Sequence, residues 1–274
     1  MSATITATDI NKLRQATGAG MLDCRKALTE SNGDFEAAID WLRKQGQKVA
    51  AKRSDREAKE GVVIAKTLPG NKSGIVLCIS CETDFVSKNA DFVAFAQSIA
   101  DAAVENNVKS ADELNEIMIN GAKVSDMIND KLASIGEKIA VSKFERVDAP
   151  FVASYIHGAN RMGVLVGLTQ ESAEAGKDVA MQIAAMNPLA VDESSISPET
   201  IAREKDIAIE QIKAEGKPAE MAEKIAMGKV NKFFKENTLL AQAFVKDNSK
   251  SVGDYLKGIS GELNVTEFKR VALG

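Results

Sequence analysis

Apolar positions recur at helical spacing from the start of the chain to about residue 45. Ile10 and Leu13 share one face of a helix that Asp9 can cap and that stops at Gly18-Ala19-Gly20. A second helix starts near Met21, carries Cys24, Ala27 and Leu28, and ends at Ser31-Asn32-Gly33. Asp34 caps a third, in which Phe35, Ala38, Ile39 and Leu42 fall at i, i+3, i+4 and i+7. Three short helices of this kind make a small bundle. From Lys44 to Glu60 the chain is charged, with no large apolar residue after Val49, and reads as a linker.

At Gly61 the period changes from 3.6 to 2. Val62-Val63-Ile64-Ala65 and Gly74-Ile75-Val76-Leu77-Cys78-Ile79 flank Pro69-Gly70-Asn71-Lys72-Ser73, a hairpin signature. A helix follows over Ala90–Glu105, with Phe92, Phe95, Ala96, Ile99 and Ala103 on one face. The order recurs about ninety residues on. Phe151–Ile156, the turn Gly158-Ala159-Asn160 and Met162–Val166 form a second hairpin, and a helix near Asp178–Met186 follows it. Two such strand–strand–helix units, side by side, would each bury one sheet face beneath helices. Between them Ala111–Ser134 reads as helical and leads through Ile135-Gly136-Glu137-Lys138 into a strand, Ile139–Phe144. After the second unit, Ser197 and Pro198 open a charged helix with Ile201, Ala208 and Ile212. It ends at Gly216, and Pro218 starts another with Met221, Ile225 and Phe233, so the pair forms an antiparallel helical hairpin. The chain returns through Phe244-Val245 and a helix at Val252–Leu256 to a last strand, Val265–Val271.

A length of 274 residues suits two or three packed units rather than one. The net charge of −4 argues against a partner bound through phosphate neutralisation, so no direct nucleic-acid contact is expected. No apolar run reaches the roughly 20 residues of a membrane span, and Met1–Thr6 lacks signal-peptide character. Three cysteines suit a reducing cytosol, and one histidine disfavours His-based metal sites, so no metal or cofactor is expected. Gly70-Asn71-Lys72-Ser73 superficially resembles the end of a phosphate loop, but Asn71 interrupts the Gly-Lys pair and a strand follows, making it a turn. Cys78 and Cys81 form a C-x-x-C; at i and i+3 in a strand they point to opposite faces and cannot chelate together. No nucleophile sits in a recognisable elbow, and nothing supports catalysis by the chain's own residues. A small-molecule enzyme would need a polar pocket near His157.

The dipeptide Asp84-Phe85, in Cys81-Glu82-Thr83-Asp84-Phe85-Val86, stands where an apolar strand has ended and a helix has not begun. A large aromatic there is either a core plug or an anchor for a partner. At the comparable point of the second unit the chain reads Gly167-Leu168-Thr169-Gln170-Glu171, without an aromatic, so the corner itself does not demand one.

Several segments together resemble the bacterial translation elongation factor Ts family. They are Leu13 through Leu28, Thr83-Asp84-Phe85-Val86, Ile135-Gly136-Glu137, His157-Gly158 and Gly216-Lys217-Pro218, in the family's order. The resemblance implies an α+β multi-domain fold: an N-terminal three-helix, ubiquitin-associated-like bundle, a core of two related α+β subdomains, and an inserted antiparallel helical hairpin. The expected division is residues 1–45 for the bundle, 46–60 for a linker and 61–148 for the first subdomain. Residues 149–196 and 239–274 form the second, with 197–238 as the hairpin. It also implies a guanine-nucleotide exchange factor for elongation factor Tu, not an enzyme, binding that GTPase in its GDP-bound and nucleotide-free forms in the cytoplasm. Thr83, Asp84, Phe85 and Val86 would make the contact that dislodges Mg²⁺, with Phe85 as the wedge. Cys24, Arg25, Ile135, Gly136, His157 and Val245 would add partner contacts. Arg25 stands where many members of the family carry lysine. Homodimerisation through the hairpin stays open. The competing reading is a non-catalytic adaptor that binds through the three-helix domain and the hairpin.

Overall fold

A computed structural model describes residues 4–53, 55–214 and 219–274. The N-terminal pattern folds into α1 (Ala7–Thr17), α2 (Met21–Glu30) and α3 (Phe35–Arg53), which enclose Leu13, Cys24, Ala27, Leu28 and Ala38. Thr6, not Asp9, is the cap of α1. Asp9 lies three residues inside the helix and completes a capping box by accepting the Thr6 N–H at 3.0 Å. Asp34 accepts the Ala37 N–H at 2.9 Å, capping α3 as expected.

The stretch read as a linker is mostly helix, because α3 continues to Arg53. Between Leu42 and Val49 the lack of large apolar residues has a packing cause. At Gly46 the helix presses so closely on a later helix, Val124–Ile135, that an added Cβ would lie 3.0 Å from the Ala133 methyl. Val49 then packs into the central core. Small residues mark a tight helix crossing here, and Lys44, Gln47 and Lys48 are exposed on its outer side.

The next elements are β1 (Glu60–Thr67), β2 (Ser73–Cys81), the single turn α4 (Asp84–Ser87) and α5 (Ala90–Glu105). Ala111–Ser134 is not one helix. It divides into α6 (Ala111–Glu116), a small hairpin of β3 (Met118–Ile119) and β4 (Ala122–Lys123), and α7 (Val124–Ile135). Asn120 and Gly121 both have positive φ, 51° and 83°, as the tight turn between β3 and β4 requires. Strand β5 (Ala140–Asp148) returns along β2.

The second half runs β6 (Phe151–His157), β7 (Met162–Leu168), α8 (Ala173–Met186), α9 (Pro198–Ala214), α10 (Ala219–Asn237), β8 (Ala243–Phe244), β9 (Asp247–Ser251), α11 (Val252–Ile259) and β10 (Val265–Ala272). Ser197 accepts the Thr200 N–H at 3.2 Å, capping α9, which meets α10 through Ala208, Ile212 and Ala226. Gly216-Lys217-Pro218 and the Met221 side chain lie outside the described residues.

The two three-stranded sheets are antiparallel and share one strand order, β1-β2-β5 and β6-β7-β10. In each, the second hairpin strand is central and the third strand arrives after helices. The expectation that one face of each sheet is buried falls short, because both faces are. Val62, Ile64, Ile75, Leu77 and Ile79 pack beneath α5 and α7, while Val164, Val166 and Leu168 pack beneath α8 and α11. The other two faces meet each other through Val63, Ala65, Val76, Cys78, Val152, Leu165 and Val271. Glycines make that approach possible: a Cβ on Gly74 would lie 2.9 Å from both Leu165 and Val152, and one on Gly163 would lie 2.9 Å from Val76. The result is four layers, helix–sheet–sheet–helix.

Cys78 lies in the seam between the sheets and Cys81 in the core under α5, so the two thiols occupy opposite faces of β2. Cys24, Cys78 and Cys81 are all buried and free, and burial, followed by the nearby charges of Glu137 and Glu60, pushes the Cys81 thiol up to about 12. Iodoacetamide at pH 8 is expected to leave all three unmodified in the folded protein and to alkylate all three in denaturant, read by intact mass. Modification of Cys78 or Cys81 without unfolding would contradict the packing described.

No helix among the described residues is long and apolar enough to cross a membrane, and no group of three or more metal-binding side chains is arranged there to hold an ion.

Candidate functional site

β2 carries the chain out of the core at Cys81, and α4 begins three residues later. A four-residue helical turn does not hold itself together, since nucleation costs more than one turn returns. Its shape comes from what surrounds it. Val86 packs on the core beneath α5 and Ser87 is buried, its hydroxyl donating to the Asp84 carbonyl at 3.2 Å. Asn89 then caps α5 by accepting the Asp91 N–H at 2.8 Å.

On this turn the Phe85 side chain is 85% exposed, whereas Phe92, seven residues on, is 1% exposed and lies in the core. The corner therefore does not use Phe85 as a plug. Leaving such a ring in water forgoes roughly 2 kcal/mol of burial. A groove of about 290 Å³ runs beside the ring, lined by Phe85, Val86, Asn89, Phe92, Lys131 and Ile135. Asp84 flanks it and is paired with Lys88 one turn on at 2.6 Å; that lysine holds its carboxyl below the usual carboxylate range.

The structure brings Ile135 and Gly136 to the same place. Ile135 ends α7 and packs half-buried on the same core, and Gly136 caps that helix in the left-handed conformation, φ 79°, turning the chain toward Thr83. Glu137 then accepts the Thr83 N–H at 3.1 Å and its hydroxyl at 2.8 Å. Glu82 in turn accepts the Lys138 N–H at 2.6 Å and is paired with Arg53 at 2.8 Å and Arg56 at 3.1 Å. The Lys138 amide first, then the two arginines, hold the Glu82 carboxyl below its ordinary range. Its contribution to stability is therefore in place above the unfolded carboxylate pKa and is lost as pH falls through the lower folded value.

His157 is exposed at the end of β6, sharing a 3.0 Å hydrogen bond with the Tyr155 hydroxyl through Nδ1. The turn after it is stitched to β1. The Val63 N–H donates to the Asn160 carbonyl at 2.7 Å, the Asn160 amide donates to the Val63 carbonyl at 3.1 Å, and Arg161 reaches Glu60 at 3.1 Å. Glu60 pairs with Cys81, so the His157 turn meets β1 three residues, on the order of 10 Å, from the end where Thr83 leaves. A cavity of about 690 Å³ opens at the root of α10, beside Asn231, Lys235, Gly253 and Leu263, and His157 is not in its wall.

Two expected contacts lie in other packing units. Val245, 47% exposed, tops the turn between β8 and β9, where its N–H donates to the buried Gln182 at 2.8 Å. Arg25 is exposed on α2. Cys24, beside Arg25, is wholly buried in the helical bundle, its thiol near the Ala19 carbonyl. The exposed apolar groups of that stretch are Met21 and Leu22. Sequence reasoning also missed Glu82, Glu137 and Arg53 as the supports of α4.

A family model described as Elongation factor TS matches residues 82–274. The chain is 49% identical to elongation factor Ts of Christiangramia forsetii over 275 residues, covering 99% of this chain and 100% of that protein. It is 49% identical to elongation factor Ts of Flavobacterium psychrophilum over 275 residues, with the same coverage. To elongation factor Ts of Clostridium perfringens it is 42% identical over 282 residues, covering 98% of this chain and 93% of that one.

Proposed function

The chain belongs to the elongation factor Ts family, and on that premise we propose that it is a guanine-nucleotide exchange factor for elongation factor Tu, working in the cytoplasm during translation elongation. It makes and breaks no covalent bond; its effect is on binding. A protein that prefers the nucleotide-free GTPase weakens nucleotide binding by the same free energy, because the coupling is reciprocal. It has only to compete for the geometry that holds phosphate and Mg²⁺ in the partner.

The observation that carries this reading is the exposed Phe85 ring on an anchored turn. A rigid aromatic presented by a fixed backbone enters a partner with little ordering cost, the usual character of an interface hot spot. In the reading proposed here the ring enters the packed interior on the Mg²⁺ side of the partner's nucleotide site. Close-packed interiors switch between arrangements rather than deform smoothly, so a small intrusion releases the ion and loosens the phosphates. Asp84, Ile135 and Gly136 form the rim of the same contact, His157 extends it along β1, and Arg25 and Val245 reach the partner elsewhere. The first three helices act as a ubiquitin-associated-like module, and α9–α10 as an inserted hairpin whose exposed Ile207 and Met227 are the surface for any self-association.

The test is the release of fluorescent GDP from purified elongation factor Tu. The full chain is expected to accelerate it and to form, on gel filtration, a complex without nucleotide that dissociates on addition of GDP and Mg²⁺. No acceleration at saturating concentrations would overturn the proposal.

A further inference from the structure

The backbone ladder between β2 and β5 ends at Ser80 opposite Ala140. Its register, carried on, would oppose Glu82 to Lys138 and Thr83 to Glu137. Both of those positions are bonded, but by side chains. The Glu82 carboxylate accepts the Lys138 N–H at 2.6 Å, and the Glu137 carboxylate accepts the Thr83 N–H at 3.1 Å. Two carboxylates thus bridge the strands where they diverge, bonding two adjacent pairs of which an antiparallel ladder would bond only one.

The Thr83 hydroxyl shows how the geometry is arranged. Thr83 is the N-cap of α4, where such a hydroxyl ordinarily accepts a first-turn N–H. Here it makes no capping bond and donates to Glu137 at 2.8 Å instead. The far side of the clamp is fixed in turn. Arg53, the last residue of α3, and Arg56 grip Glu82, and α7 delivers Glu137 through the Gly136 cap.

From this arrangement we propose that Glu137, with Glu82, is a positioning residue: a carboxylate clamp across the end of the β2–β5 ladder that fixes the direction in which α4 presents Phe85. This rests on the reading above for its effect on exchange, though not for its geometry. A ring that is exposed gains no direction from its own packing, so its direction is set at the root of the turn, and Thr83 is that root. Glu137 itself touches Thr83 and not the ring.

The test combines exchange kinetics with a direct view of the ring, using the full chain. GDP release from elongation factor Tu is measured at saturating concentration for wild type, Glu137→Ala, Phe85→Ala and the double variant. In parallel, the fluorine resonance of a para-fluorophenylalanine at position 85 is recorded in the free protein, with and without Glu137→Ala. The expected result is about a tenfold slower release for Glu137→Ala, the size of losing a charge-assisted bond. No further loss is expected when it is added to Phe85→Ala, and the fluorine resonance should shift or broaden. Glu137→Gln keeps the shape and one acceptor, so it is expected to lose roughly threefold, and it carries the test if the alanine variant melts early. An unchanged rate and resonance in a folded Glu137 variant would overturn the clamp. So would an equal loss with and without Phe85, since Glu137 would then act on its own. If Phe85→Ala releases GDP as wild type does while the resonance still responds to Glu137→Ala, the clamp stands and the wedge reading fails.

Discussion

Phe85→Ala is expected to slow GDP release from elongation factor Tu by about thirtyfold or more while leaving the melting temperature within a degree or two of wild type. The first figure is that of a hot-spot truncation, at least about 2 kcal/mol, with tenfold for every 1.4 kcal/mol. The second follows from the exposure of the ring: at 85% exposure, removal creates no cavity and uncovers no core. Surface substitutions of this type stay within about 0.5 kcal/mol of wild type. Stopped-flow release and a thermal melt on the same preparation measure both. A wild-type rate would remove Phe85 from the mechanism, and a melt lowered by several degrees would return the ring to the core.

The opposite signature is expected seven residues on. Phe92 is 1% exposed, stacks obliquely near Phe95 at 6.4 Å, and sits in the core formed by β1, β2, α5 and α7. Phe92→Ala removes a ring from a close-packed site, at a cost of about 3–5 kcal/mol including the cavity left behind. For a chain of this size that lowers the melting midpoint by about 10 °C. Chemical denaturation, with the midpoint lowered and the slope unchanged, checks it. A loss below about 1 kcal/mol would mean that the core collapses around the gap and that Phe92 does not fill the close-packed site described above.

Those two phenylalanines also show how far the sequence could be read. The helix carrying Phe92 spans Ala90–Glu105, where the periodicity placed it, because its apolar face follows the 3.6-residue repeat without interruption. Both hairpins were legible as short apolar, β-branched runs flanking a turn rich in glycine and asparagine. The stretch Ala111–Ser134 was misread because its turn is short: Asn120-Gly121, a strong hairpin signal, sits between strands of only two residues. The bounds of α3 were missed because a tight helix crossing replaces large apolar groups with Gly46, and polar composition alone looks like a linker. Burial of both sheet faces was available in principle, since Val62–Ala65 and Ile75–Ile79 are continuous apolar runs rather than alternating ones. Exposure of Phe85 could only be framed as a choice from the sequence, although the missing aromatic after Leu168 pointed the right way. The clamp was out of reach. Thr83 and Glu137 are 54 residues apart, and only the register of β2 against β5 makes them neighbours.

The seam between the two sheets has a thermodynamic consequence. Its lining belongs to neither half alone: Val63, Ala65, Val76 and Cys78 come from one side, and Val152, Leu165 and Val271 from the other. Gly74 and Gly163 each receive the opposite sheet's side chains, so separating the halves would expose both linings to water at once. Neither half can then melt while the other stays native. Residues 60–272, interrupted by the α9–α10 excursion, are expected to unfold as one calorimetric unit, with equal van't Hoff and calorimetric enthalpies for that transition. Heat would thus remove the Phe85 turn and the Val245 turn together, although they belong to different sheets.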